Sequence, residues 1–91
     1  MSTEDLLRSR GLRPGDRVVV CLPRGEHLSA AVDGAIAVGA IVTVLPAGFE
    51  VDEHIRASAA RIMISDSDEA IKAAEDSRIR QVIGSRELKG S

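Results

Sequence analysis

The stretch Arg17-Val18-Val19-Val20-Cys21-Leu22-Pro23-Arg24-Gly25, followed by Glu26 to Val38 and then Ile41-Val42-Thr43-Val44-Leu45, decides the fold. The first run is apolar and β-branched without alternation, the pattern of a strand buried on both faces of a parallel sheet. Pro23-Arg24-Gly25 turns the chain. In the segment that follows, Leu28, Ala31, Val32, Ala35, Ile36 and Gly39 recur at helical spacing and form an apolar stripe rich in small residues. Gly39 is placed to end that helix. The second β-branched run, 41–45, closes at Pro46 and Gly48. Strand, helix and strand joined by short connections imply a right-handed crossover and a parallel sheet.

The pattern repeats outward from this unit. Residues 3–10 read as a short helix capped by Thr3 with Leu6 and Leu7 inward, stopped at Gly11. Arg13-Pro14-Gly15-Asp16 is a turn. Residues 52–59 read as a brief helix with Ile55 inward, and 61–65 as a third strand. Asp66 or Ser67 caps the next helix, with Glu69 completing a capping box on Asp66 and with Ile71 and Ala74 inward. Residues 79–83 form a fourth strand, and 84–91 a polar tail. The expectation is one α/β domain spanning residues 1–91: a small three-layer structure, its four-stranded, mostly parallel sheet flanked by helices. The strand order is open between 2-1-3-4 and 1-2-3-4. Either order leaves two sheet edges without evident blunting, so self-association as a dimer, or a partner, is expected.

The chain has 91 residues, enough for one small domain only. Its hydrophobic fraction of 44% excludes a disordered segment. Phe49 is its single aromatic residue, which argues against base-stacking nucleic-acid modules. The net charge of −2 argues against a phosphate-tracking DNA binder. That charge is uneven: residues 25–60 hold one basic and five acidic groups (Glu26, Asp33, Glu50, Asp52 and Glu53), read as solvated helix faces. One cysteine excludes an internal disulfide and any multi-cysteine zinc site. No apolar run reaches the roughly 18 residues of a membrane span, and the N-terminus lacks a signal-peptide pattern. A cytoplasmic, reduced protein is expected.

One ordered set of motifs is familiar. Gly11-Leu12-Arg13-Pro14-Gly15-Asp16-Arg17-Val18, Leu22-Pro23, and Ala35-Ile36-Ala37-Val38-Gly39-Ala40 together resemble the opening of the adenylate-forming enzymes. That superfamily comprises acyl-CoA synthetases, peptide-synthetase adenylation domains and luciferases. Its members share a G-x-x-P-G-D-R-V turn and strand, an L-P dipeptide, and a helix ending in A-G-A, on which Val38-Gly39-Ala40 falls. Arg61 to Ser65 with Asp66 is similar to a later A-K-x-x-I-T-D segment. The likeness runs from about Gly11 to Ile83. The chain departs from the pattern at Val44-Leu45-Pro46-Ala47, where the family has P-L, and at Arg24-Gly25-Glu26-His27, where it has N-S-x-E. The helix after Phe49 is about one turn short.

The resemblance implies a scaffold segment truncated before the nucleotide-binding loop. The family's Ser/Thr/Gly-rich loop ending in lysine, its Y-x-T-E segment, its G-R-x-D hinge and its C-terminal lysine match nothing in this sequence, so no catalytic residue carries over. Adenylation also needs backbone N–H groups and cations around a triphosphate. The two lysines, Lys72 and Lys89, follow no glycine-rich loop. The resemblance therefore implies a ligase-like protein that is non-catalytic alone and holds no cofactor or metal. It would act as a split-ligase subunit or through a protein partner, such as a related ligase or carrier protein.

The rival reading is a small enzyme or phospho-carrier. Cys21 sits near the carboxyl end of the first strand, where open α/β sheets place ligands, and Arg24-Gly25 could hold an anion at the following helix N-terminus. The spacing opposes it, because a C-x5-R signature would need arginine at His27. A cysteine within such a run is ordinarily a small buried hydrophobe. His27 and His54 each sit beside acidic residues near a helix start, but adjacent helical residues point apart and make no metal site alone. Asp33 should face water, and Gly34 should admit a close neighbour.

Overall fold

A computed structural model describes residues 2–45 and 51–89. The β-branched run forms β1 (Arg17–Cys21), and every residue from Val18 to Cys21 is buried. Helix α2 (Glu26–Val38) follows, then β2 (Ile41–Val44), which pairs with β1 in parallel, Val18 opposite Val42. Helix α3 (Val51–Ala57) leads to β3 (Ile62–Ser65) on the other side of β1, Val18 opposite Ile62. Helix α4 (Asp68–Glu75) leads to β4 (Gln81–Ile83), parallel to β3. The strand order is β2-β1-β3-β4, which resolves the alternative left open by the sequence.

Alternation along the strands divides the core in two. Val18, Val20, Ile62, Ile64 and Ile83 face α2 and α1 (Thr3–Ser9). Val19, Cys21 and Met63 face the other way, against Ile55 of α3 and the alanines of α4. The result is the expected three-layer arrangement.

Small residues set the spacing of the first layer. On α2 the buried positions are Ala31, Gly34, Ala35 and Val38. A Cβ at Gly34 would stand 2.6 Å from Thr3 Cγ2, so glycine is what lets α1 lie against α2. The stripe is rotated from the expected one. Ile36, assigned inward from its spacing, is 60% exposed, because Gly34 and not Ile36 turns toward α1. Asp33 is exposed, as expected.

Gly39 joins the two most characteristic pieces of the sequence. It ends α2 with φ +96°, a conformation that costs side-chain-bearing residues about 1–3 kcal/mol. A Cβ there would also meet Pro14 at 3.2 Å. The Gly15 N–H donates to the Gly39 carbonyl at 2.9 Å, and the Ile41 N–H donates to the Asp16 carbonyl at 2.8 Å. The turn before β1 is thereby clamped to the turn before β2.

Several local expectations are corrected. Ser2, not Thr3, caps α1, accepting from the Asp5 N–H at 3.2 Å. Of the two caps offered for α4, Ser67 is the one used, accepting from the Ala70 N–H, and Asp66 is engaged elsewhere. The tail assigned to 84–91 contains α5 (Ser85–Lys89), whose Leu88 is 4% exposed and packs in the first core layer. One apolar side chain inserted into that layer outweighs the polar composition around it. Pro46, Gly48 and Phe49 lie outside the described residues, as do Gly90 and Ser91 at the end of the expected tail.

Replacing Gly39 by alanine should cost about 2–4 kcal/mol, from the positive φ and the Pro14 contact together. Urea unfolding followed by circular dichroism measures it, since the chain has no Trp or Tyr to report by fluorescence.

Candidate functional site at the carboxyl ends of the strands

In open parallel sheets ligands bind beyond the carboxyl ends of the strands. Here that edge brings together Cys21 at the end of β1, Ser65 and Asp66 at the end of β3, His27 in the first turn of α2, and Ser85 at the start of α5. The sequence had marked Cys21 and His27 as candidates. It gave no reason to join them to Ser85, because that residue lay in the expected tail.

Cys21 is opposite Ser65 in the register and is 4% exposed. Burial raises its thiol above the ordinary cysteine range, and the Ser65 hydroxyl bond offsets only part of that rise. A protonated, enclosed thiol is neither a nucleophile nor a phosphate carrier at neutral pH. The Ser65 hydroxyl is itself occupied, accepting from the Ser67 N–H at 3.1 Å.

Asp66 is the group most altered by its surroundings. The Ser85 N–H donates to its carboxylate at 2.7 Å, and the Ser85 hydroxyl donates to the second oxygen. These two bonds hold the carboxyl below the ordinary aspartate range, opposed slightly by burial and helped by the charges of His27 and Arg86. The pair ties the end of β3 to the start of α5. Gly84 permits the approach, since a Cβ there would lie 3.2 Å from the Asp66 carboxylate. Asp66 is thus committed to structure, and its oxygens accept from the backbone and hydroxyl of one residue.

The remaining candidates do not converge on this edge. Arg24 is exposed in the β1–α2 loop, and Gly25 caps α2 without a side-chain bond. His54, on α3, borders a concavity shared with Arg17, Thr43 and Leu45 on the far face of the sheet. Among the described residues no group of three or more His, Cys, Asp or Glu is arranged to hold a metal ion. No helix among them is long and apolar enough to cross a membrane. The carboxyl edge therefore assembles structural bonds, and its thiol is closed to solvent.

No protein-family model matches the chain. Enterobactin synthase component F of Escherichia coli is 31% identical over 75 residues, which cover 82% of this chain and 5% of that protein. The N-terminal domain of FACL13 from Mycobacterium tuberculosis superposes with a TM-score of 0.81 at 22% identity, over 97% of this chain and 25% of that one. A long-chain-fatty-acid-CoA ligase from Archaeoglobus fulgidus, FadD1, superposes with a TM-score of 0.82 at 16% identity, over 90% of this chain and 18% of that one.

The fold is accordingly that of the N-terminal region of the adenylate-forming enzymes, and the resemblance read from the Gly11–Val18 turn and the Val38-Gly39-Ala40 helix end holds. It is the fold shared by FACL13 and FadD1, and this chain spans a quarter or less of each.

Two measurements check the edge. Cys21 should stay unmodified by iodoacetamide in the native protein and react fully once urea unfolds it. Asp66→Asn should cost about 1 kcal/mol near neutral pH, a hydrogen bond to a charge in a largely exposed setting. The folded pKa of Asp66 is depressed, so its contribution is complete above the unfolded value of about 4 and is lost as pH falls through the folded value. The gap in Tm between wild type and Asp66→Asn should therefore narrow as the buffer is taken below about pH 4.

Proposed function

We propose that the chain corresponds to the opening segment of an adenylate-forming ligase, non-catalytic by itself, which works as a scaffold subunit docked on a partner protein that supplies the nucleotide-binding loop and catalytic lysine. The observation that carries this reading is the edge strand β2. Among the described residues its outer side has no strand partner, and its side chains reach water from both faces of the sheet: Ile41 is 54% exposed and Val44 is 46% exposed. Ile36, on the helix leading into β2, is the third large apolar side chain exposed among the described residues. Exposed apolar surface beside an unpaired edge is the usual mark of a surface covered in a larger assembly.

The comparisons support the same reading from another direction. FACL13 and FadD1 carry this fold as a quarter or less of a longer chain, so in them most of the protein lies outside the matching segment. A four-stranded sheet with an intact core can hold its own shape while leaving one side for the rest of such a domain. Among the described residues the carboxyl edge does not gather the set of cations around a phosphate that triphosphate chemistry needs. The partner of this reading is a related ligase lacking its own opening segment.

The isolated chain should give no ATP–pyrophosphate exchange with any acid. Added to enterobactin synthase component F from which the matching 75 residues have been deleted, it should form a complex and restore exchange. Val44→Glu should leave the circular-dichroism spectrum unchanged and abolish the complex. Exchange by the isolated chain would overturn the non-catalytic reading, and a Val44→Glu variant that still restores activity would move the docking surface away from β2.

A further inference from the structure

The opposite, amino end of the sheet carries a charge pattern that neither the fold nor the proposed docking edge explains. Val18 pairs with Ile62, and Ile62 pairs with Gln81. The residues one step earlier, Arg17, Arg61 and Arg80, therefore stand at one level across three adjacent parallel strands. Strands lie about 4.8 Å apart, so the row spans roughly 10 Å. The backbone fixes its spacing: the Arg80 N–H donates to the Arg61 carbonyl at 2.8 Å.

Arg61 and Arg80 line two adjoining hollows. The larger, of about 510 Å³, also takes in Arg10, Arg13, Asp16 and Gln81. The second, of about 370 Å³, adds Arg78. Gln81 closes one side, its amide donating to the Arg10 carbonyl at 2.7 Å. Counter-charge is scarce. Arg10 is paired with Glu87, and the Asp16 carboxylate accepts from the Arg13 N–H at 3.0 Å. Among the described residues Arg13, Arg17, Arg61, Arg78 and Arg80 make no ion pair. This concentration occurs in a chain whose net charge is −2.

Like charges at one level on neighbouring strands repel, so the row is an unfavourable arrangement until an anion crosses it. Guanidinium groups present a planar fork that matches carboxylates two bonds at a time. The two hollows adjoin through Arg61 and Arg80, and no aromatic side chain among the described residues offers a base a platform. An extended peptide puts a side chain on one face every two residues, about 7 Å, so a short acidic run covers the row. We propose that the amino-terminal edge of the sheet, from Arg13 and Arg10 across Arg61 and Arg80 to Arg78, binds an extended acidic segment of a polypeptide. This inference does not depend on docking at β2, because neither hollow is lined by a residue of that strand; Arg17, which stands opposite Ile41, borders a separate concavity with Thr43.

The test uses the full chain and a fluorescein-labelled octaglutamate peptide, followed by anisotropy in about 20 mM and about 300 mM salt. Saturable binding is expected at the lower salt, weakened roughly tenfold or more at the higher. The double variant Arg61→Gln/Arg80→Gln should lose roughly tenfold in affinity, while Arg8→Gln/Arg24→Gln, whose arginines lie outside the groove, should bind like wild type. Without peptide, the Tm of Arg61→Gln/Arg80→Gln should equal or exceed that of wild type, because a repulsion has been removed. Absence of binding at low salt, or equal loss in both double variants, would overturn the proposal. A lowered Tm in the Arg61/Arg80 variant would make the row structural and overturn it too. Tighter binding of inorganic triphosphate or oligothymidylate than of octaglutamate would assign the row to phosphate and overturn the acidic-peptide reading.

Discussion

The structure depends on the complete burial of β1. Val18, Val19, Val20 and Cys21 leave almost no surface to water, and their side chains point alternately to opposite sides. A strand enclosed on both faces must have strands on both sides and helices above and below, since its backbone groups find no water. The order β2-β1-β3-β4 supplies those neighbours, with α1 and α2 over one face and α3 and α4 over the other. Burying each Val or Ile of this strand set contributes about 1.5–3 kcal/mol, which is how a short chain sustains a three-layer fold.

Given that strand, the Gly39 clamp explains why the Arg13-Pro14-Gly15-Asp16 turn and the Val38-Gly39-Ala40 helix end travel together. They are far apart in sequence and touch in space: Pro14 rests where a side chain on residue 39 would be, and two backbone hydrogen bonds cross between the segments. The clamp starts β1 and β2 at one level and holds their register, Arg17 opposite Ile41. The motifs that mark the adenylate-forming resemblance are in this chain a device for aligning two parallel strands. Their shared role here is to hold the starts of β1 and β2 together.

How much of this was legible in the sequence follows from the distance over which each feature is determined. The strands, α2 and the helix end at Gly39 are written locally, in β-branched runs and helical spacing, and the structure has them. Ile36 misled because periodicity defines a stripe and not its rotation; the rotation was set by Gly34 meeting Thr3. α5 was missed because its helical signal is a single apolar residue, Leu88, in a polar run, and its start is fixed by Asp66 nineteen residues earlier. The arginine row was invisible for the same reason. Arg17, Arg61 and Arg80 are unremarkable singly and become a row only through the register of three strands.

The two edges of the sheet are unequal, and the inequality has a direction. β4 is three residues long, starts beside the charged Arg80 and the exposed Gln81, and runs at once into α5, whose Leu88 returns to the core. Short length and charge are the ordinary means by which an edge is kept from pairing. β2 has neither: it is four residues of Ile, Val, Thr and Val with no charge and no proline. An isolated domain under pressure to remain alone would blunt both edges, because either one can template association. Here β4 is blunted and β2 is left apolar, so of the two edges β2 is the one whose backbone groups and side chains stand open to association.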